Sequence, residues 1–99
     1  MFNIRFSVEV EIDLKKISLF YRNRIMDEIE VQLSNDPTEI TKNKKILINL
    51  SPPWTGLSIV RELRVGEYRI FYDVDEIKRV VFIRAVRKKP PGKTTEEIL

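Results

Sequence analysis

The 99 residues are enough for one small domain, and we expect a single domain over residues 1–99. The sequence has no cysteine and no histidine, which excludes a disulfide framework, a zinc site with thiolate or imidazole ligands, and a histidine general base. We expect neither a metal nor a cofactor. No apolar run approaches the ~20 residues that span a bilayer, so we expect a cytoplasmic protein that does not contact membranes.

Charge is distributed unevenly along the chain, although the net charge is only +3. Residues 1–40 carry five basic and eight acidic side chains, whereas residues 61–93 carry ten basic and five acidic ones. A basic half of this kind is typical of a contact with nucleic acid or with an acidic partner. An ordinary charged surface would give the same pattern.

The first element is predicted to be a β-strand over residues 3–12, because apolar and polar side chains alternate there. Glu9 and Glu11 fall on the polar side of this strand. Two glutamates at this spacing are common on solvated faces, so we interpret them as solvated and not as a catalytic pair.

An amphipathic helix is predicted from Leu14 to Leu33, where apolar residues recur at steps of three and four. Asp13 is a plausible N-cap. Ser18 could cap a second start, which would divide the region into a short helical turn and a longer helix. Asn35 and Pro37 are typical of the chain just beyond a helix.

A polar connection over residues 36–45 leads to a short predicted strand over 46–50 and to a loop over 51–56 that is rich in proline. Lys45 could contact a phosphate, although many loops carry such lysines without a ligand. Trp54 is predicted to pack over the edge of the core, and stacking on a nucleobase is the alternative.

The segment 61–72 is predicted to be a β-hairpin around Gly66-Glu67, since glycine at the first position of a two-residue loop is typical of a type II′ turn. This turn pairs Val65 with Tyr68. Because side chains alternate across a strand, every residue of the hairpin can be assigned to one of two faces.

One face of the hairpin is apolar except for Arg61, and it is predicted to cover the core. The other face places Arg64 directly opposite Arg69, and like charges in this position destabilise a sheet. The pair suggests an anion that normally sits between the two arginines. Alternatively, Glu62 and Asp73 compensate them in a solvated ion network.

The segment 79–86 is nearly continuously apolar, which predicts a strand inside the sheet. Arg84 interrupts it and should either point into a groove or pair with an acid. The basic segment 87–89 follows and then a Pro-Pro-Gly break. Thr94 or Thr95 can cap a last helical turn that runs to the C-terminus.

The hairpin resembles that of the RelE/ParE toxin superfamily of type II toxin–antitoxin systems, and it reads Leu63-Arg64-Val65-Gly66-Glu67-Tyr68-Arg69-Ile70-Phe71-Tyr72. With the apolar strand and the basic end that follow, the resemblance covers nearly the whole chain. It implies an α+β fold in which an N-terminal strand and helical segments precede a three-stranded antiparallel meander. The meander completes one curved sheet, with the helices packed on one face and a basic groove on the other.

In the RelE branch this groove holds messenger RNA on the ribosome, and a ribose 2′-hydroxyl attacks the adjacent phosphate without a metal. The resemblance therefore implies a ribosome-dependent mRNA endonuclease that inhibits translation. It places Arg69 as the arginine that stabilises the transition state, Lys89 as acid or phosphate clamp, and Lys88 where other branches have a histidine. Glu62 could act as the base or pair with Arg69. Candidates for contacts with RNA phosphates are Arg64, Arg61, Arg84, Arg87 and Lys45.

Two departures from the RelE pattern weaken the resemblance at the site. Glu62, with Val60 or Arg61, stands where the RelE type has lysines, and Thr94 and Thr95 fall near the place of a missing C-terminal tyrosine. Two other functions therefore stay open: a ParE-like inhibitor that binds DNA gyrase, and a catalytically decayed member that binds only its antitoxin. In each case we expect a cognate antitoxin from the adjacent gene, which wraps the toxin and covers the basic groove.

Overall fold

The structure is a computed structural model that describes residues 1–47, 54 and 59–99. The elements follow in the order β1 (Asn3–Phe6), α1 (Val8–Lys15), α2 (Leu19–Leu33), β2 (Lys44–Leu47), β3 (Val60–Val65), β4 (Tyr68–Asp75), β5 (Val80–Lys88) and α3 (Thr95–Ile98). The last part of the strand predicted over 46–50, and the loop predicted over 51–56 except Trp54, lie outside the described residues. Within the described ranges, none of the helices has both the length and the apolar character to span a membrane.

The five strands within the described ranges form one sheet in the order β1-β5-β4-β3-β2. β1 pairs with β5 in parallel, and the other neighbours are antiparallel. The predicted meander is therefore β3-β4-β5, with β2 added at one edge and β1 at the other. β5 lies inside the sheet between β1 and β4, as its apolar sequence predicted.

Helices α1 and α2 cover one face of the sheet, as the resemblance implied. Their buried residues are Val10, Leu14, Ile25, Ile29 and Leu33, and they pack against apolar residues of β3, β4 and β5. Burial of these side chains contributes most of the stabilisation of the core, at roughly 25 cal/mol per Å² of apolar surface. α3 is the exception, because its end packs on the opposite face of the sheet.

The prediction of one strand over residues 3–12 is wrong in its second half, because the chain turns into helix α1 after β1. Ser7 is the N-cap, and its Oγ accepts a hydrogen bond from the Val10 N–H at 3.2 Å. Glu9 and Glu11 then lie in the first helical turn, where carboxylates interact favourably with the helix dipole. The alternation of apolar and polar residues gave the wrong prediction here, because Val10 also fits a helical pattern with the buried Leu14 four residues later.

The helical region is divided in two, as the second cap at Ser18 suggested. Asp13 is not a cap, because it lies inside α1, whereas Ser18 occupies the N-cap position of α2. Arg22 joins the two helices, since its Nε donates to the Leu14 carbonyl at 2.9 Å and its Nη2 donates to the Ile17 carbonyl at 3.0 Å.

The hairpin has the predicted register, with Val65 opposite Tyr68 and Arg64 opposite Arg69. Gly66 has a φ of 58°, a backbone conformation that residues other than glycine rarely adopt. We call the sheet face that does not pack on α1 and α2 the distal face. Its hairpin residues are Val60, Glu62, Arg64, Arg69, Phe71 and Asp73.

Candidate nucleic-acid interface

Three arginines occupy aligned positions on neighbouring strands of the sheet, because the strand register pairs them. Arg64 of β3 is paired with Arg69 of β4, and Arg69 is paired with Arg87 of β5. The arginine row, as we call these three residues, places Arg64 and Arg69 together on the distal face, whereas the Arg87 side chain reaches Asp13 of α1. Like charges that face each other across a sheet are destabilising, so the row favours an anion at its centre.

The outer members of the row differ in their partners. The Arg87 Nη1 lies 2.9 Å from the Asp13 Oδ2, in a half-exposed ion pair that joins β5 to α1. Arg64 is exposed and has no ion pair with any described residue. One end of the row is thus neutralised by the protein, and the other end is available to a ligand.

Arg69, at the centre of the row, is the most unusual charged group of the site. Only 8% of it is exposed. Its Nη1 donates to the carbonyls of Gly66 and Tyr68, both at 2.9 Å, and its Nε has no partner among the described residues. Burial lowers the pKa of Arg69, and so does the charge of Arg64, while Glu62 acts in the opposite direction. A buried cation without a carboxylate is a group that binding of an anion would stabilise.

Glu62 lies beside the row and is held by two residues that the hairpin sequence does not contain. It is 2% exposed, and its Oε2 accepts a hydrogen bond from the Thr95 hydroxyl at 3.0 Å. Its Oε1 lies 3.4 Å from the Lys45 Nζ. This carboxylate therefore forms its ion pair with Lys45. Its negative charge also acts on Arg69 electrostatically and raises the pKa of the Arg69 guanidinium.

Lys88 and Lys89 extend the basic segment beyond the row. Lys88 is opposite Tyr68 in the register and forms an exposed ion pair with Glu67, with 3.6 Å between Nζ and Oε2. The Lys89 backbone N–H donates to the Glu67 carbonyl at 2.7 Å, which fixes the chain where it leaves the sheet. The Lys89 side chain is half-buried and has no ion pair within the described ranges.

Two of the predicted phosphate ligands are not brought to the row. Arg61 lies on the face that packs on the helices, where its Nη1 donates to the Thr38 carbonyl at 3.2 Å. Arg84 is on the distal face but its Nε lies 3.1 and 3.2 Å from the two carboxylate oxygens of Asp73. The sequence predicted that Arg84 either points into a groove or pairs with an acid, and in the structure it pairs with the acid Asp73.

A β-bulge explains how Arg84 reaches that position. Phe71 is paired with Ala85 and Tyr72 with Ile83, so Arg84 is the extra residue of β5. A bulge bends the strand locally and redirects one side chain. The bulge lies between two parts of the distal face. One part holds the ion pair of Arg84 with Asp73, and the other holds the arginine row.

The middle of the distal face is apolar and is covered by the C-terminal segment. Val60, Phe71 and Ala85 are buried there beneath Ile98 and Leu99 and beside Trp54. The rings of Trp54 and Phe71 are 6.3 Å apart, so the prediction that Trp54 packs on the core is confirmed. Thr94 caps α3 in a capping box with Glu97, as its sequence suggested.

Thr95 is the site residue that reasoning from the sequence missed. Its position near the missing tyrosine of the RelE pattern was the available signal, but its contact with Glu62 depends on the docking of α3. Together, the arginine row, Glu62, Lys45 and Thr95 form a basic surface with one buried carboxylate. Such a surface can bind a phosphodiester and stabilise negative charge that develops on it.

Comparisons with known proteins agree with this geometry. Residues 4–89 match a family model described as the ParE toxin of the type II toxin–antitoxin system parDE. None of the curated proteins matches the chain.

Solved structures with the same fold are toxins of this kind. The archaeal RelE–RelB complex from Pyrococcus horikoshii OT3 matches with a TM-score of 0.70 and 20% identity, over 94% of this chain and 98% of that chain. The isolated RelE toxin of E. coli matches with a TM-score of 0.68 and 20% identity, over 94% and 89% of the two chains. The toxin–antitoxin complex RelBE2 from Mycobacterium tuberculosis matches with a TM-score of 0.64 and 24% identity, over 89% and 98%. At these identities the likeness shows the fold alone.

Proposed function

This chain belongs to the ParE toxin family of type II toxin–antitoxin systems, and from the geometry of its site we propose that it is a ribosome-dependent mRNA endonuclease that inhibits translation. The observation that carries the proposal is the arginine row with Arg69 at its centre, buried and with an Nε that lacks a partner among the described residues. A cation in this position can stabilise the negative charge that develops during phosphoryl transfer, whereas a surface that acts only by binding protein does not need it.

The proposed reaction needs no metal. The ribose 2′-oxygen forms a bond to phosphorus, and the bond from phosphorus to the 5′-oxygen breaks, which leaves a cyclic 2′,3′-phosphate and a free 5′-hydroxyl. Arg69 and Arg64 stabilise the charge on the non-bridging oxygens through the planar donor set of the guanidinium. Glu62 takes the proton of the 2′-hydroxyl, and Lys89 donates a proton to the leaving 5′-oxygen.

Access to Glu62 imposes a condition on this mechanism. Because α3 and Thr95 leave only 2% of Glu62 exposed, α3 has to lift from the distal face before a 2′-hydroxyl can reach the carboxylate. Arg64 is already exposed, so RNA can first bind at that end of the row.

Primer-extension mapping of a translated message in a reconstituted translation reaction tests the proposal. We expect cuts at ribosome-positioned sites with the wild-type protein. Arg69→Ala should reduce cleavage by about 10²–10³-fold, as loss of one group that stabilises the transition state does. Lys78→Ala is the matched control, because it removes one positive charge from an exposed turn that is not part of the site. Intact message with the wild-type protein, or equal loss in both variants, would contradict the proposal.

Inhibition of DNA gyrase by protein binding is the second candidate, because the matched family is that of the ParE toxin and the ParE-like alternative was a gyrase inhibitor. The closed position of Glu62 under α3 also suits a protein that needs no general base. A gyrase supercoiling assay separates the two functions. Inhibited supercoiling together with intact messages would replace the endonuclease proposal, and absence of toxicity in cells without the antitoxin would indicate a decayed member.

A cognate antitoxin, encoded by the adjacent gene, is the third part of the proposal. Two of the similar structures are complexes of a toxin with its antitoxin. The basic distal face and the sequence pI of about 9.3 suit an acidic partner. We expect the antitoxin to cover the arginine row, and isothermal titration with the purified antitoxin should show tight binding that weakens in Arg64→Glu.

A further inference from the structure

A pocket lies between helix α2 and the turn of the β3–β4 hairpin, on the side of the sheet that packs on the helices. Its volume is about 180 Å³, and the residues that line it include Tyr21 and Arg24 of α2 and Gly66, Glu67 and Tyr68 of the hairpin. For comparison, an apolar cavity of about 150 Å³ holds a benzene molecule. The pocket is therefore large enough for one planar aromatic ring.

Two tyrosines give the pocket aromatic walls. The ring centres of Tyr21 and Tyr68 are 5.9 Å apart, and the ring planes are inclined at 46°. Tyr21 is 46% exposed although it belongs to the helix that covers the core. Because the two rings are tilted and do not stack on each other, a flat ligand can stack on them. Stacking of bases on aromatic side chains is a general way in which proteins bind single-stranded RNA.

Arg24 adds a positive charge to the same pocket. It is exposed, and it forms neither an ion pair nor a side-chain hydrogen bond with any described residue. A Cβ atom at Gly66 would lie 3.4 Å from the Arg24 Nη1, so the absence of a side chain at Gly66 lets the guanidinium lie directly against the turn. A guanidinium can stack on a base and can donate to the acceptors along its edge.

The charges of the pocket favour a nucleobase over a side chain of a protein partner. Glu67 also lines the pocket, and its carboxylate is shared only with the exposed Lys88, at 3.6 Å. The edge of a base carries both acceptors and N–H donors, so Arg24 and Glu67 can each contact it. An aliphatic side chain would use neither charge, and an acidic one would be repelled by Glu67.

The pocket and Arg69 share the turn of the hairpin, which they approach from opposite faces of the sheet. The Arg69 Nη1 donates to the carbonyls of Gly66 and Tyr68, both at 2.9 Å, and these two residues also line the pocket. A strand of RNA that has a phosphate at Arg69 and bends around the turn therefore brings a neighbouring base to the pocket.

We propose that this pocket binds one unstacked nucleobase of the RNA, from a nucleotide next to the one whose phosphate lies at Arg69. Tyr21 and Tyr68 stack on the base, and Arg24 and Glu67 contact its edge. This inference rests on the proposed action on RNA. It adds a site for a base on the face of the sheet opposite to Arg64 and Arg69.

NMR titration of the full-length protein tests the pocket without any cleavage. The probe is a tetraadenylate with 2′-O-methyl groups, which has no 2′-hydroxyl to react, and the control is its abasic counterpart with the same phosphates. We expect the tetraadenylate to shift the ring protons of Tyr21 and Tyr68 and the Nε–H of Arg24, because the base stacks there. The abasic control should shift the signals of Arg64 and Arg69 alone.

The outcomes separate this inference from the proposed endonuclease. Equal shifts with both probes, or no shift of the tyrosine ring protons, would overturn the pocket as a base site. Cuts in a translated message without these ring shifts would overturn the pocket alone. Ring shifts with the tetraadenylate, together with intact messages, would support the pocket and overturn the endonuclease.

Two matched pairs of variants locate the contact. Tyr21→Leu removes a ring that Tyr21→Phe keeps, so the leucine variant should bind the tetraadenylate about tenfold more weakly than the phenylalanine variant. Arg24→Gln should weaken binding by about fivefold or more, since it loses the donors to the base edge. Lys78→Gln removes the same charge from an exposed turn outside the pocket and should leave the affinity unchanged. Equal affinities within both pairs, in proteins that melt cooperatively, would contradict the inference.

Discussion

Two arginines on the distal face have opposite surroundings, although both project from neighbouring strands. Arg84 contacts both carboxylate oxygens of Asp73, which is fully buried, and also packs 4.7 Å from the centre of the Phe82 ring. Arg69 is itself buried but contacts only main-chain carbonyls and faces Arg64. The first arrangement is complete without a ligand and the second is not. We infer that Arg84 holds the sheet together and that Arg69 is kept for an anion.

We expect the largest change in stability when the ion pair of Arg84 with Asp73 is broken. Asp73→Ala removes the carboxylate partner of Arg84 and should lower the free energy of unfolding by about 3 kcal/mol, because breaking a buried pair leaves an uncompensated charge. Urea denaturation measures the change. The double variant Asp73→Ala/Arg84→Met should recover part of the loss, and a double variant as unstable as the sum of its single changes would show that the two residues are not coupled.

The Tyr72 hydroxyl is a buried polar group on the face of the sheet that packs on the helices. Its hydroxyl donates to the Pro37 carbonyl at 3.0 Å, and burial raises the pKa of Tyr72 to about 12, while the charge of Arg61 acts in the opposite direction. The unfolded chain ionises this hydroxyl near its ordinary pKa of 10.0, two units lower. The contribution of Tyr72 to the free energy of unfolding should therefore be constant below pH 10 and fall by about 2–3 kcal/mol between pH 10 and pH 12.

The control for this pH dependence is Tyr72→Phe. This variant should be less stable at neutral pH by about 1 kcal/mol, since it loses the hydrogen bond, and its stability should fall less over the same alkaline range. Denaturation curves at a series of pH values measure both terms. An unchanged alkaline slope would assign the pH dependence to other groups.

Arg69→Met should have a small effect on stability and a large one on function. It removes a buried cation and the repulsion from Arg64, so the free energy of unfolding is expected to change by no more than about 1 kcal/mol, and in the stabilising direction. Cleavage, or whichever toxic activity the chain has, should be lost. If the variant instead unfolds like Asp73→Ala, Arg69 would be a structural residue like Arg84.

We expect the smallest effect on stability when an anion binds beside Arg69 and stabilises the folded protein. Inorganic phosphate should raise the melting temperature of the wild-type protein, since a ligand that binds only the folded state stabilises it by about 1.4 kcal/mol at ten times its dissociation constant. The rise should disappear in Arg69→Met and persist in Arg84→Met. Thermal melts in phosphate and in a chloride buffer of equal ionic strength distinguish specific binding from screening.

The reliability of the sequence predictions differs between two segments with equally clear patterns. In the hairpin, Gly66 restricts the turn to a few types, and the turn alone then sets every pair from Val65–Tyr68 to Arg61–Tyr72. Near the N-terminus, alternation over residues 3–12 fitted a strand as well as it fitted β1 followed by α1. The N-cap at Ser7 was visible in the sequence, but an eight-residue helix is stable only through the burial of Val10 and Leu14.

The sequence by itself determined the hairpin, its division into an apolar and a charged face, and the opposition of Arg64 and Arg69. These features follow from neighbours a few residues apart and from the period of two along a strand. The tertiary structure alone decided that Arg87 is aligned with Arg69 and that Glu62 is held by Thr95 and Lys45. Those outcomes depend on the bulge in β5 and on the docking of α3, which are set by packing between segments far apart in the chain.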